Sequence, residues 1–265
     1  DSFSQVNQVI GSAGGTTFQP SSAATVAFQG IGGANTLDLS AIPGGVALTE
    51  SDGTGTAASS GGGAVTFSDV QTFIGTPGND VFTVGSGSAH FIGGGGNDEM
   101  TLANNPGGIS FNLSASGASE VATITTSAGN DTASNISTFI GSSAGQNTFV
   151  SDGLGGHTFE AQGSGNALDY TGASSPVAID AAGDCSPLPD CATGLTANNV
   201  LPSSSSTTDY FSGIQTFEGS PAGTTFDSSG ANGLTFNGGS APNDTLDLST
   251  APSGLRVQNS GCAGT

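Results

Sequence analysis

Four copies of one segment are the feature that most constrains the fold of this chain. Each copy begins with Phe or Ala followed directly by Ser, contains a branched aliphatic residue two positions further on, and ends on Gly. The copies are Phe3–Gly11, Phe67–Gly75, Ala133–Gly141 and Phe211–Gly219. One Phe follows each copy seven or eight residues later, and a second Phe follows nine or ten residues after the first. Because these offsets hold in all four copies, the chain is predicted to be built from repeated units that stack on one another.

Short alternating runs between the Phe positions indicate the secondary structure. A third apolar-x-apolar element follows the second Phe in each copy, and it comprises Val46–Leu48, Ile109–Phe111, Val177–Ile179 and Leu255–Val257. Alternation of this kind is typical of strands with one buried face, and Gly and Ser-Gly pairs supply the turns between them. The sequence therefore predicts an all-β parallel β-solenoid, a β-roll or β-helix of stacked coils with no significant helix. We expect roughly 20 to 25 residues per coil and about three coils per unit.

A single solenoid is expected to span residues 1–265. Its units run approximately over 1–66 (starting mid-unit), 67–132, 133–210 and 211–265 (ending mid-unit). Unit length varies mainly in Gly- and Ser-rich stretches such as Thr54–Gly63 and in the segment Cys185–Ser206. Since insertions in solenoids collect where they do not disturb stacking, these stretches are predicted to be loops on one face.

The charge balance excludes whole classes of partner. The chain carries 21 acidic residues and one basic residue, Arg256, and its net charge is −20. Without a basic patch, binding to nucleic acid or to anionic lipid headgroups is not expected. No apolar run approaches the roughly 18–20 residues that cross a bilayer, so membrane insertion is not expected either. The acidic surface either attracts cations or is simply a solvated face.

Three cysteines bear on the compartment. Cys185 and Cys191 flank a short proline-stiffened loop that a disulfide would close, which favours an oxidising, extracellular compartment. Cys262 remains, and it either pairs outside this chain or is a free thiol.

One motif carries candidate chemistry. Gly93–Thr101 fits the nonapeptide G-G-x-G-x-D-x-U-x in full, and Gly75–Phe82, Ser127–Thr132 and Gly238–Leu246 are near matches. Glycines permit the turn and expose carbonyls, and the Asp adds a carboxylate, which together suit Ca²⁺. The candidate calcium residues are Asp80, Asp98, Asp131, Asp244, Gly78, Gly93, Gly96 and Asn97. In the alternative interpretation, Asp and Asn in these turns cap backbone N–H groups.

On these motifs the chain resembles the hemolysin-type (RTX) calcium-binding repeat family, as a degenerate long-unit variant. Asn243–Ser249, Gly45–Leu48 or Gly108–Leu113, and Phe67–Asp80 match the family pattern DTLDLS…GVxVxLS…FSxIxxFIGTxGND. The resemblance implies a right-handed parallel β-roll, export from the cell, and Ca²⁺ held between successive turns. The chain departs from the pattern at positions that match Asp80 and Asp98. These departures are Thr16, Asn147 and Thr224 for Asp80, and Asn35 and Asn166 for Asp98.

Two functions compete at this stage. The first is an extracellular structural or adhesive repeat protein that self-assembles head to tail through its solenoid ends into a filament or array. The alternative is a calcium-binding RTX-type repeat domain of a larger secreted exoenzyme, toxin or adhesin. The order Gly261–Thr265 followed by Asp1–Ser4 resembles the native approach to the motif at Thr208–Ser212. This fits either a piece cut from a longer repeat array or subunits that stack head to tail, and because open edges invite pairing we favour the first function.

An enzymatic role is not expected. The chain has no nucleophile motif and no P-loop, and a carbohydrate-active β-helix ranks below the two functions above. His90 and His157 lie close before the second Phe of their units and are predicted to be exposed strand residues rather than catalytic or metal-binding groups.

Overall fold

The computed structural model describes residues 5–21, 25–116, 119–181, 190–194, 208–228, 233–249 and 251. All regular secondary structure in these residues is β-strand. None of the described segments forms a helix of the length and apolarity that a membrane crossing requires. Most strands pair in parallel with a strand from the neighbouring coil, and they form two long sheets. The predicted all-β parallel β-solenoid is thus confirmed.

Sheet A and sheet B face each other across the core. Across sheet A the strands are β1 (Gln8–Ile10), β3 (Val26–Gln29), β7 (Ala64–Ser68), β6 (Thr54–Ser59), β5 (Val46–Ser51), β9 (Val81–Val84), β11 (Glu99–Thr101), β15 (Thr138–Ile140), β17 (Thr158–Glu160), β21 (Thr208–Ser212), β20 (Asp190–Gly194), β19 (Val177–Asp180), β23 (Thr224–Asp227) and β25 (Thr245–Asp247). Across sheet B they are β2 (Thr17–Phe18), β4 (Thr36–Asp38), β8 (Thr72–Ile74), β10 (His90–Ile92), β14 (Gly129–Ser134), β13 (Ser119–Thr126), β12 (Ser110–Ser116), β16 (Thr148–Val150), β18 (Ala167–Asp169), β22 (Thr216–Glu218) and β24 (Thr235–Asn237).

The structural repeat has seven strands. Each repeat opens with three antiparallel strands in one sheet and continues with four single strands that alternate between the sheets; the repeats are β5–β11, β12–β18 and β19–β25. The trio lies in one sheet and the four single strands alternate, so the repeat has five alternating positions and the next repeat begins in the opposite sheet. The antiparallel trios therefore lie in sheet A, then sheet B, then sheet A again.

This arrangement corrects two expectations. Thr54–Gly63 is not a loop, because Thr54–Ser59 is strand β6, hydrogen-bonded between β5 and β7. Within Cys185–Ser206, the described residues Asp190–Gly194 likewise form the middle strand of a trio. The expected coil length was also slightly long, since Thr72 pairs with His90 and Thr138 pairs with Thr158, which sets coils of 18 to 20 residues.

Ladders of identical or similar apolar side chains fill the core. In sheet A, Phe139, Phe159 and Phe211 stand in one cross-strand row, and all three are buried. In sheet B, Phe73 pairs with Phe91 at a ring-centroid distance of 5.3 Å with an interplanar angle of 17°. Burying one such side chain stabilises the fold by about 1.5–3 kcal/mol, and stacked rings add about 0.5–1.5 kcal/mol per pair.

Candidate functional site

The predicted calcium residues lie on turns that are stacked from coil to coil. Two turn positions recur in all four copies of the repeat segment. The first turn position holds Thr16, Asp80, Asn147 and Thr224. The second turn position, one coil later, holds Asn35, Asp98, Asn166 and Asp244. Most of these polar side chains point into the solenoid, and Asp80 and Asp98 each retain only 1% of their exposure.

At the first turn position, a side-chain oxygen closes the turn. It accepts the backbone N–H of the residue that follows the Gly of the repeat segment. The four bonds run from Ser12 to Thr16 Oγ1 (2.8 Å), Thr76 to Asp80 Oδ2 (2.6 Å), Ser142 to Asn147 Oδ1 (2.9 Å) and Ser220 to Thr224 Oγ1 (2.8 Å). Since a hydroxyl, an amide and a carboxylate all make this bond, the turn requires an oxygen and not a charge.

At the second turn position, a side-chain oxygen links two coils. It accepts the backbone N–H of the residue at the first turn position. The four bonds run from Thr16 to Asn35 Oδ1 (2.9 Å), Asp80 to Asp98 Oδ1 (2.8 Å), Asn147 to Asn166 Oδ1 (2.9 Å) and Thr224 to Asp244 Oδ1 (2.8 Å). These bonds satisfy N–H groups that would otherwise be buried without a partner.

The other side-chain atom of the second turn position meets a backbone carbonyl. Asn35 Nδ2 donates to Asp69 O at 2.8 Å, and Asn166 Nδ2 donates to Gly213 O at 2.9 Å. Both acceptors belong to left-handed residues, with φ of 54° at Asp69 and 69° at Gly213. The equivalent residue near Asp98 is Asn135, which has φ of 55°.

Asp98 breaks this pattern, because a carboxylate has no N–H to donate. Its Oδ2 is buried without a hydrogen-bond partner. A Cβ on Gly93 would clash with both Asp98 Oδ2 and Asn135 O, so these two acceptors border the same point. Burial raises the pKa of the Asp98 carboxyl to about 6; the Asp80 carboxylate adds to the rise, and the N–H of Asp80 opposes it.

The residues at this pair of turns meet only part of what calcium needs. The oxygens of Asp80 already accept three hydrogen bonds, from Val46 N, Thr76 N and Thr76 Oγ1. Asp98 Oδ2 and Asn135 O remain as hard oxygen ligands, whereas Ca²⁺ prefers about six to eight. Within the described ranges, no group of three or more His, Cys, Asp or Glu residues is placed to hold a metal. The calcium site stays a prediction.

The remaining candidate residues divide by location. The candidate glycines and Asn97 share the two stacked turns with Asp80 and Asp98: Asn97 N–H donates to Asn79 Oδ1 of the turn below, and Gly78 N–H donates to Thr76 Oγ1. Gly96 has φ of 93°, in the left-handed region that favours glycine. Asp131 and Asp244 have other partners.

Asp131 lies in β14 and accepts the N–H of Ala89 at 2.9 Å, and burial raises its pKa to about 6. Asp244 Oδ1 accepts the backbone N–H of Thr224 in the fourth copy. The candidate disulfide lies largely outside the described residues, since Cys185 and Cys262 are not described and only the backbone position of Cys191 in β20 is.

A buried ionic cluster around His157 was missed by sequence reasoning. His157 retains 7% of its exposure, so the prediction that it is exposed was wrong. Its Nε2 lies 3.1 Å from Glu120 Oε2 and its Nδ1 lies 3.3 Å from Asp209 Oδ1. Asp209 Oδ2 also accepts Ser151 Oγ at 2.8 Å and Tyr170 OH at 2.9 Å.

His157 is held as a cation. Burial alone would lower its pKa, but Asp209 and Glu120 outweigh burial and raise the pKa to about 10. The spacing to Phe159 could have revealed this inward position. His157 precedes the buried Phe159 by two residues and therefore lies on the same face of the strand. His90 directly precedes Phe91 and therefore faces the other way.

No known protein-family model matches the chain, and no curated protein matches its sequence significantly.

Proposed function

We propose that this chain is an extracellular structural repeat protein, derived from hemolysin-type (RTX) repeats, whose turns are closed by its own side chains. The observation that carries the proposal is that different residue types make the same two hydrogen bonds in different copies. Thr, Asp or Asn closes the turn at the first turn position, and Asn or Asp links the coils at the second. A repeat held together by ions needs carboxylates on neighbouring turns, because neutral oxygens bring no charge to the site. In the four copies, both turn positions carry Asp only at Asp80 and Asp98. On this proposal the chain is not an enzyme.

Self-assembly through the solenoid ends is the second part of the proposal. Four of the described strands pair on one side only: β2 and β24 at the ends of sheet B, and β1 and β25 at the ends of sheet A. The proposed contact uses the two end strands of sheet A. Their inward residues are Val9, which pairs with Phe28, and Leu246, which pairs with Phe226. Leu246 keeps 48% of its exposure because no described strand covers it. Within the described part of the chain, such an edge has backbone groups without a strand partner, and with its apolar surface it can pair with another chain.

The partner that fits these edges best is a second copy of the chain. With β25 of one copy beside β1 of the next, Leu246 would stand beside Val9 and extend the same apolar row. At the β1 end, the interior opens into a cavity of about 500 Å³ lined in part by Phe18, Val26 and Phe28. A head-to-tail contact of this kind does not close on itself, so it produces a filament.

Light scattering on edge variants tests this proposal. Val9→Lys and Leu246→Lys place a buried charge in the contact and are expected to shift assemblies to monomers. Leu154→Lys is the matched control, since Leu154 is 56% exposed on a turn between coils and should leave assembly unchanged. A wild-type protein that stays monomeric at high concentration with Ca²⁺ present would contradict the proposal.

A calcium-binding repeat domain of a larger secreted protein is the second candidate, and the unpartnered Asp98 Oδ2 beside Asn135 O favours it. A cation there would be bound by two facing oxygens and would neutralise the Asp98 carboxylate. Calorimetric titration with Ca²⁺ tests it: heat and thermal stabilisation that Asp98→Asn abolishes would support this candidate, and their absence from the wild type would rule it out.

A further inference from the structure

The third copy of the repeat segment lacks an aromatic ring that its neighbours have. In the second copy, Phe67 packs on Phe73 with ring centroids 5.0 Å apart, and in the fourth copy Phe211 packs on Phe217 at 5.3 Å. Ala133 occupies the corresponding position in the third copy, ahead of Phe139. Its cross-strand neighbour in β13 is Ala122, which is also small. A ring-sized volume is therefore missing beside Phe139.

The core has not closed this volume. A cavity of about 130 Å³ lies there and is partly open to solvent on the side of Ser134 and Asn135. Its apolar wall is formed by Ala133, Ala122, Leu113, Ile136 and Phe139. Phe139 cannot move in to fill it, because Phe139 is already packed against neighbouring rings. Those rings are Phe111 at 5.5 Å and Phe159 at 6.3 Å.

The opposite wall of the cavity is polar and has an unused acceptor. Glu120 and His157 line it. Glu120 Oε2 is engaged by His157, but Glu120 Oε1 is buried without a hydrogen-bond partner. His157 Nε2 lies beside Glu120 Oε2 and Nδ1 lies on the side of Asp209, so neither ring nitrogen bonds to Glu120 Oε1. An occupant that brings a donor would satisfy this oxygen.

We propose that this cavity binds a small phenol, with the aromatic ring in the place of the missing Phe and its O–H donating to Glu120 Oε1. Size supports a ring, since an apolar protein cavity of about 150 Å³ binds benzene. The unpaired carboxylate oxygen supports a donor substituent on that ring. The excess of carboxylates around His157, from Glu120, Asp209 and Asp152, disfavours an anionic ligand. This site is independent of the proposed structural function.

Titration of the full chain with phenol and with anisole, followed by NMR, tests the site. Anisole keeps the ring and an oxygen but has no donor, so we expect it to bind at least about tenfold more weakly than phenol. Chemical-shift changes should centre on Ala133, Ala122 and Phe139. Absence of saturable phenol binding overturns the proposal, and equal binding of phenol and anisole overturns the role of Glu120.

Filling the cavity provides the matched comparison. Ala133→Phe restores the ring found in the second and fourth copies and should abolish phenol binding while leaving thermal stability unchanged or higher. Ala47→Phe makes the same substitution at an exposed, outward position of β5 and should leave binding intact. If Ala133→Phe does not fold, Ala122→Val narrows the same space and should weaken phenol binding at least about tenfold. Full binding retained in a folded filling variant overturns the proposal.

Discussion

Replacing Asp98 by Asn should stabilise the protein at neutral pH. Asn35 and Asn166 already show the outcome: one atom accepts an N–H from the previous coil, and Nδ2 donates to the carbonyl of a left-handed residue. Asp98→Asn keeps the bond from Asp80 N–H and adds a donor that faces Asn135 O. Removing one unsatisfied buried acceptor and gaining one hydrogen bond should raise the free energy of unfolding by about 1–3 kcal/mol.

The gain should depend on pH in a defined direction. Because the folded-state pKa of Asp98 is raised from 3.8 to about 6, the folded wild type binds a proton more tightly than the unfolded chain does. The wild type is therefore relatively destabilised above pH 6, and that loss disappears as pH falls from about 6 towards 3.8. Below that range the protonated carboxyl can donate to Asn135 O as an amide does. The advantage of Asp98→Asn should accordingly shrink at pH 4.

Urea denaturation in calcium-free buffer at pH 7.5 and at pH 4 measures both effects. Asn166→Asp is the matched control, because it puts a carboxylate in front of Gly213 O and should destabilise by a similar amount at pH 7.5. The reasoning is refuted if Asp98→Asn lowers stability at pH 7.5 without calcium, or if the difference does not vary with pH.

Two further predictions concern the core. His157→Gln removes the cation between Asp209 and Glu120 and should cost about 3–5 kcal/mol at pH 7 in chemical denaturation, since it leaves buried charge without compensation. The folded-state pKa of His157 is raised from 6.5 to about 10, so its stabilisation of the fold is complete below pH 6.5 and is lost as pH rises through 10. The stabilities of the wild type and the variant should therefore converge near pH 10. A stability difference that stays constant with pH would contradict this. Phe91→Ala should lower the free energy of unfolding by about 3–5 kcal/mol, because Phe91 is fully buried in the sheet B ladder. Val81→Ala is the control, and it should cost far less because Val81 is 36% exposed. Equal losses of stability in the two variants would argue against the ladder as the core.

The strand faces could be read from the sequence because each unit repeats the same inward residues. The fixed offsets mark Phe82 and Phe91 as recurring positions of the unit, and both are fully buried in the structure. The turn residues were also visible as matched positions. Their role was not decided by sequence, because an Asp that binds a cation and an Asp that accepts an N–H look alike until the donors are placed.

The antiparallel trios were beyond sequence reasoning for a physical reason. Strand β6 (Thr54–Ser59) is rich in Gly, Ala, Thr and Ser, so it has neither the β-branched density nor the clear alternation that marks a strand. It is a strand because β5 and β7 hydrogen-bond to both of its edges. The trios alternate between the sheets because each is followed by four single strands that alternate, and this order is visible only in the complete repeat.

Electron microscopy of the purified protein in excess EDTA tests the central claim most directly, because it asks at once whether the turns hold without ions and whether copies stack. The account predicts filaments that persist in EDTA and that the Val9→Lys and Leu246→Lys variants disrupt. Only isolated particles at every concentration, or filaments that require Ca²⁺, would contradict it.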